Sequence, residues 1–213
     1  MSAGKFITLE GIEGAGKSTV ARALHAELER RGLPALLTRE PGGTPVAEAL
    51  RALLLERDRE LISPAAEALL MFAARAVHLD NAIRPALASG RWVICDRFTD
   101  ASFAYQGAGR GVSESLLDGL AAAVHPELWP ARTLLLDLPV RTGLARARAR
   151  ASSPDRFETE AAEFFERVRK AYLRRAARAP ERITVIDATL SEVEVAVAAV
   201  AALSDLWPGP GAR

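Results

Sequence analysis

Gly11-Ile12-Glu13-Gly14-Ala15-Gly16-Lys17-Ser18-Thr19 satisfies the pattern G-x-x-x-x-G-K-[ST]. Phe6-Ile7-Thr8-Leu9-Glu10 precedes it as a short β-prone run, and Val20, Leu24 and Leu28 follow at helical spacing. A strand, a glycine loop and a helix in that order form an anion cradle. The glycines let the backbone wrap with its N–H groups inward, and the helix brings its positive end to the same point. Lys17 is placed to reach the β- and γ-phosphates of a nucleotide, and the Ser18 hydroxyl is the expected Mg²⁺ ligand. The stretch implies a chain that binds a nucleoside triphosphate.

Working outward, short apolar runs at Ala35–Thr38, Trp92–Cys95, Thr133–Asp137 and Ile183–Ile186 read as strands buried on both faces. Helical stretches are expected at about 17–31, 45–55, 64–89, 113–124, 139–150, 160–178 and 191–206. Thr44-Pro45 and Ser63-Pro64 are cap-plus-proline starts, and Ser191 with Glu194 reads as a capping box. Pro85 predicts a kink or an end late in the third helix. Alternating strands and helices imply right-handed crossovers and an α/β fold: a five-stranded parallel sheet flanked by helices. One domain over 1–208 is expected, with a frayed tail at 209–213.

Composition narrows the class. The 213 residues suffice for a full core, and a net charge of +1 lacks the basic excess of a dedicated nucleic-acid binder. The basic residues are 25 Arg and 3 Lys. One cysteine, Cys95, excludes a disulfide framework and points to the cytoplasm. No apolar run approaches the ~18 residues of a membrane span, and no signal-peptide layout opens the chain.

In a parallel sheet, ligands gather beyond the carboxyl ends of the strands, which directs attention to three segments. Asp96-Arg97 closes the third strand, a carboxylate suited to Mg²⁺ beside an arginine suited to bidentate phosphate contact. Arg39-Glu40-Pro41-Gly42-Gly43-Thr44 is a charged pair before a rigid turn, equally readable as an ordinary strand-to-helix connection. Arg146, Arg148, Arg150 and Arg156 surround Ala151-Ser152-Ser153-Pro154-Asp155, either a flap carrying charge to a phosphoryl group or a solvated face. From residue type alone Phe72 is core, whereas Arg75 among apolar neighbours is unusual. His25, His78 and His125 are dispersed and read as structural.

Taken jointly, these motifs resemble the bacterial thymidylate kinases. The resemblance runs from Phe6 to about Ala188. It rests on the phosphate loop, Thr38–Thr44, Phe72-Ala73-Ala74-Arg75, Asp96-Arg97-Phe98, Ser102-Phe103-Ala104-Tyr105-Gln106-Gly107 and the arginines of 146–156. It implies a P-loop nucleoside-monophosphate-kinase fold with a short lid at about 146–158, transfer of phosphate from ATP to dTMP with Mg²⁺, and a homodimer. By motif position, Gly11 to Thr19 hold the ATP phosphates, Ser18 and Asp96 the cation, and Lys17 and Arg97 the reacting phosphates. Glu13 meets the sugar 3′-hydroxyl, Tyr105 lies against C2′, and Phe72 stacks on the base that Arg75 and Gln106 read. Arg39, Glu40, Arg51 and Ser102 complete the acceptor site. Arg150, then Arg148, supplies the lid's catalytic arginine, because the phosphate loop carries no basic residue at 12–15. Some family members space the aromatic and the arginine by four positions, against three here.

The rival readings are a kinase of another small acceptor, a nucleotide-driven switch and a non-catalytic sensor. The Asn-Lys-x-Asp motif of a GTPase switch is absent.

Overall fold

The computed structural model describes residues 4–56, 60–150 and 162–207, with Arg150 followed along its backbone only. All five expected strands form: β1 (Phe6–Glu10), β2 (Ala35–Arg39), β3 (Trp92–Asp96), β4 (Arg132–Asp137) and β5 (Ile183–Asp187). They pair in parallel in the order β2-β3-β1-β4-β5. Successive side chains of a strand point to opposite faces, so the unbroken burial of β1 requires cover on both sides. Edge strands β2 and β5 are only half buried.

The helices are α1 (Lys17–Arg30), α2 (Pro45–Leu55), α3 (Pro64–His78), α4 (Arg84–Ala88), α5 (Thr99–Ser102), α6 (Glu114–Val124), α7 (Val140–Arg150), α8 (Ala162–Arg178) and α9 (Glu192–Ala201). The three expected starts are present: Thr44 and Ser63 accept from the N–H three residues on, and Ser191 with Glu194 closes a capping box. At Pro85 the outcome is subtler than a kink or stop. A π-helical turn at Leu79–Ile83 joins α3 to α4 and leaves Pro85 in a first turn, where a missing N–H costs least.

One helical segment has no counterpart in the sequence reading. After β3 the chain forms α5 and a π-helical run, Phe103–Gly109. Polar Ser102 and Gln106 break the apolar periodicity that would reveal it. Packing against α8 holds it instead: the Tyr105 ring lies 6.0 Å from Phe164 and 6.3 Å from Tyr172, and Arg175 sits 3.9 Å over Phe103. This run forms one wall of the cleft. Register sets the opposite wall, placing Asp96 beside Leu9 of β1 and Arg39 of β2.

Candidate active site

The phosphate loop enters α1 through Gly16, which holds a left-handed φ of 91° and, lacking a side chain, offers the helix no side-chain cap. Apart from the Thr19 N–H, which donates to Gly16 O at 3.0 Å, the first-turn N–H groups lack the carbonyl four residues back that pairs those further along. Gly14 is required for a second reason: a Cβ there would stand 2.0 Å from the Gly143 carbonyl oxygen, so α7 and the loop touch backbone to backbone. Lys17 donates from Nζ to the carbonyls of Gly11 and Ile12, both at 3.0 Å. Burial, helped by nearby Arg97, pulls this ammonium down to about 8. Gly11 and Ile12 lie beneath the cradle, while residues 13–18 line a cleft of about 1030 Å³, open solvent included. Thr19 is not part of the lining.

Asp96 and Arg97 stand across from the loop. Asp96 lines the cleft, and its buried Oδ1 has no hydrogen-bond partner among the described residues. An orphaned carboxylate oxygen in the cleft that Ser18 also lines suits a hard, oxygen-seeking cation such as Mg²⁺. Arg97 holds a left-handed φ of 71°, a conformation that costs an ordinary residue about 1–2 kcal/mol. Three bonds hold it there. Its N–H donates to Leu9 O at 2.9 Å, the Phe98 N–H donates to Glu10 Oε1 at 2.8 Å, and the Cys95 thiol donates to the Arg97 carbonyl at 3.0 Å. The result aims Arg97 at Glu13, 2.7 Å away, whose second oxygen accepts from the Tyr105 hydroxyl at 2.7 Å.

Glu10 is the buried anchor of this strained turn, and it also accepts from Tyr172 at 2.7 Å. Burial, with neighbouring Asp100, pushes its carboxyl up from 4.5 to about 8. The folded state therefore keeps a proton that the unfolded chain releases near 4.5. Glu10 contributes its full stability below that value and loses it as pH rises through about 8. Glu10→Gln should flatten the fall in melting temperature between these two pH values. An unaltered pH–Tm profile would remove Glu10 as its source.

Beyond Arg97 the cleft deepens to Arg75, which is 3% exposed. Its Nε donates to Glu40 at 2.7 Å, and its Nη2 donates to Phe98 O at 3.2 Å and Ser102 Oγ at 3.0 Å. Nη1 is buried and has no partner among the described residues. Gln106 forms the adjoining wall and donates to Glu67 at 2.9 Å. Arg51 lines the outer part and donates to Pro41 O at 3.0 Å.

Two expected acceptor-site residues lie outside the cleft lining. Phe72, proposed above to stack on a base, is 1% exposed, does not line the cleft, and packs with Ala68, Phe103, Leu117 and Ala121. Its ring lies 4.4 Å under the Arg75 guanidinium, with Phe98 5.1 Å on another side, so it braces the arginine by cation–π contact. Helix phase is the reason: the residue sharing the cleft-facing side with Arg75 is Met71, four positions earlier, and Met71 does line the cleft. Arg39 is the second. It turns outward to Glu48 at 2.9 Å, and Glu48 in turn accepts from the Gly43 N–H, so the pair stabilises the turn outside the cleft.

Besides Met71, the sequence reading missed Pro41, Leu55, Phe98 and Ala101 in the lining. Four-residue spacing from Arg75 could have found Met71. For the others only tertiary position speaks. Of the lid arginines, Arg146 donates to Ala188 O at 2.9 Å, and Arg148 is exposed on α7 outside the lining. The Arg150 side chain and residues 151–158, Arg156 included, lie outside the described residues.

A phosphate loop on a five-stranded parallel sheet, facing a second arginine-floored recess, defines the P-loop nucleoside-monophosphate-kinase fold. Comparison narrows the class. The family model described as thymidylate kinase matches residues 9–200. The thymidylate kinase of Alkalilimnicola ehrlichii is 56% identical over 188 residues, 88% of this chain and 87% of the relative. That of Nitrosomonas europaea is 54% identical over 209 residues, 97% and 95% of the two chains. The crystal structure of thymidylate kinase from Ehrlichia chaffeensis superposes with a TM-score of 0.77 at 32% identity, covering 94% of this chain and 98% of that one. The chain belongs to the thymidylate kinase family.

Proposed function

We propose that this chain transfers the γ-phosphoryl group of ATP to dTMP, giving ADP and dTDP for dTTP synthesis, with Mg²⁺ as companion cation. One observation carries the reading. A polyphosphate cradle and a recess floored by Arg75 share a single cleft, joined by the Arg97–Glu13–Tyr105 cluster.

In this reading Glu13 to Ser18 cradle the triphosphate, Gly11, Ile12 and Thr19 support the loop, and Lys17 meets the outer phosphates. Ser18 and Asp96 hold the cation, which when bound offsets charge on the phosphate oxygens. Arg97 and Arg51 take the acceptor phosphate, Glu13 receives the 3′-hydroxyl, and Tyr105 crowds C2′. Arg75 and Gln106 read the base edge, and Met71 takes the place given above to Phe72 against the base. An acceptor oxygen bonds to the γ-phosphorus as the bridge to the β-phosphate breaks. No general base is required, because the acceptor phosphate is already ionised at neutral pH. Alignment and charge neutralisation supply the rate. Arg150, then Arg148, is the lid residue assigned to the transferring group.

ADP release measured with each nucleoside monophosphate tests the assignment. Turnover of thymidine without dTMP, or ATP hydrolysis without any acceptor, would overturn it. Met71→Ala should raise the KM for dTMP about tenfold, the equivalent of losing one buried apolar side chain, and leave the KM for ATP unchanged. Equal rises would assign Met71 to packing.

The finer parts of the reading are a homodimer, a cytoplasmic location and one kinase domain over 1–208. Exposed Leu53, Leu69 and Leu116, on helices α2, α3 and α6 that pack side by side, support a self-association face. A protomer's mass by light scattering would end that part. Among the described residues no helix is long and apolar enough to cross a membrane.

A further inference from the structure

We propose that His78 is a positioning residue for the acceptor site: through Glu40 it holds the Arg75 guanidinium where it meets the base of dTMP. The inference rests on the function proposed above and concerns a residue that neither motif nor spacing singles out.

His78 is 0% exposed and follows Arg75 by one turn at the end of α3. Its Nδ1 lies 3.1 Å from Glu40 Oε1, and its Nε2 lies 2.7 Å from Thr38 Oγ1. A carboxylate only accepts, so Nδ1 carries the proton, and in the neutral ring Nε2 then accepts from the threonine hydroxyl. The other Glu40 oxygen, Oε2, accepts from Arg75 Nε at 2.7 Å. Thr38, His78, Glu40 and Arg75 thus form one continuous line from β2 through α3 to the cleft.

The line ends on an atom that invites a ligand. Arg75 Nε and Nη2 are taken by Glu40, Phe98 and Ser102, and the rings of Phe72 and Phe98 flank the guanidinium. The fork is rigid and planar, so fixing these groups fixes Nη1, the buried nitrogen with no partner among the described residues. An acceptor on the base edge meets Nη1 only if Glu40 stays in place. Among the described residues His78 is what holds the Oε1 side of Glu40.

The seat has no slack. A Cβ on Gly43 would lie 2.4 Å from His78 Nε2 and 2.5 Å from Thr38 Oγ1, so the loop backbone presses on the pair. The ligand-type atoms of Glu40, His78 and Cys95 lie within 4.8 Å of one another, which raises the question of a metal. Each is already engaged: His78 on Glu40 and Thr38, Glu40 on Arg75, and Cys95 on the Arg97 carbonyl. The group is closed by its own hydrogen bonds and serves Arg75.

Replacements at His78 separate positioning from packing. The amide nitrogen of Asn falls near the place of Nδ1 and keeps the Glu40 bond, whereas that of Gln falls near Nε2 and loses it. We expect His78→Asn to hold the KM for dTMP within about threefold, and His78→Gln and His78→Ala to raise it about tenfold, as for one charge-assisted hydrogen bond. The kcat and the KM for ATP stay unchanged in all three. Thr38→Val, isosteric and on an edge strand, raises the same KM about threefold by releasing the ring. Equal KM values for the Asn and Gln variants, or parallel changes in both substrates' KM, would overturn the inference and leave the proposed function standing. Absence of dTMP turnover in the parent chain overturns both.

Discussion

Lys17→Ala is expected to lower kcat for dTMP phosphorylation by at least about 10²–10³-fold, the usual loss when one preorganised charge donor leaves a phosphoryl-transfer or oxyanion site. The folded protein should survive the change. Burial draws this ammonium down to about 8, so at neutral pH the native state carries a charge that its surroundings disfavour. A lysine lowered in the fold binds fewer protons than in the unfolded chain between about 8 and 10.5, so its stability cost is fully present below about 8 and lifts as pH rises. The variant's melting temperature at pH 7 should therefore equal or exceed the parent's. Function and stability pull in opposite directions at this position.

The same group gives nucleotide binding a pH signature. A triphosphate favours the charged lysine, so binding near pH 8 draws a proton from solution and affinity falls as pH rises through about 8. Titration calorimetry of a non-hydrolysable ATP analogue, in buffers of different ionisation enthalpy, reads that uptake. It should vanish in Lys17→Ala. A near-parental kcat, or uptake that persists without Lys17, would contradict the assignment.

Arg97→Ala is the second large effect, expected to reduce kcat by about 10³-fold, as for an arginine on a transferring phosphoryl group. Arg97→Lys should recover little, because a point charge cannot reproduce the planar fork. The left-handed turn adds a readout independent of activity. With φ at 71°, alanine inherits the strain while glycine does not, so Arg97→Gly should melt above Arg97→Ala although both lack the guanidinium. Equal melting temperatures would show that the bonds from Leu9, Glu10 and Cys95 do not hold a strained residue.

Much of the architecture is legible in the sequence. The five strands were found within a residue at each end, because buried parallel strands are short apolar runs bounded by turns. The cap-plus-proline starts of α2 and α3 and the capping box of α9 are local chemistry and stood where they were read. The helical run after β3 was not legible, since its wall of the cleft places Ser102 and Gln106 among apolar positions and blurs the period. Motif position alone does not reveal that Phe72 packs behind Arg75, one step of helix phase from the cleft, or that Arg39 turns to Glu48.

The sequence by itself determined the anion cradle, the parallel sheet beneath it and the family, because each is written in neighbouring residues or in their order along the chain. Only the tertiary structure decided that Met71 faces the recess while Phe72 braces Arg75 from behind. It alone gave the buried histidine of α3 its link to Glu40, and it alone bent the backbone at Arg97 around the buried carboxyl of Glu10. Each of those outcomes depends on how far one element is rotated or shifted against another, and such angles are set by packing, not by the residues next in line.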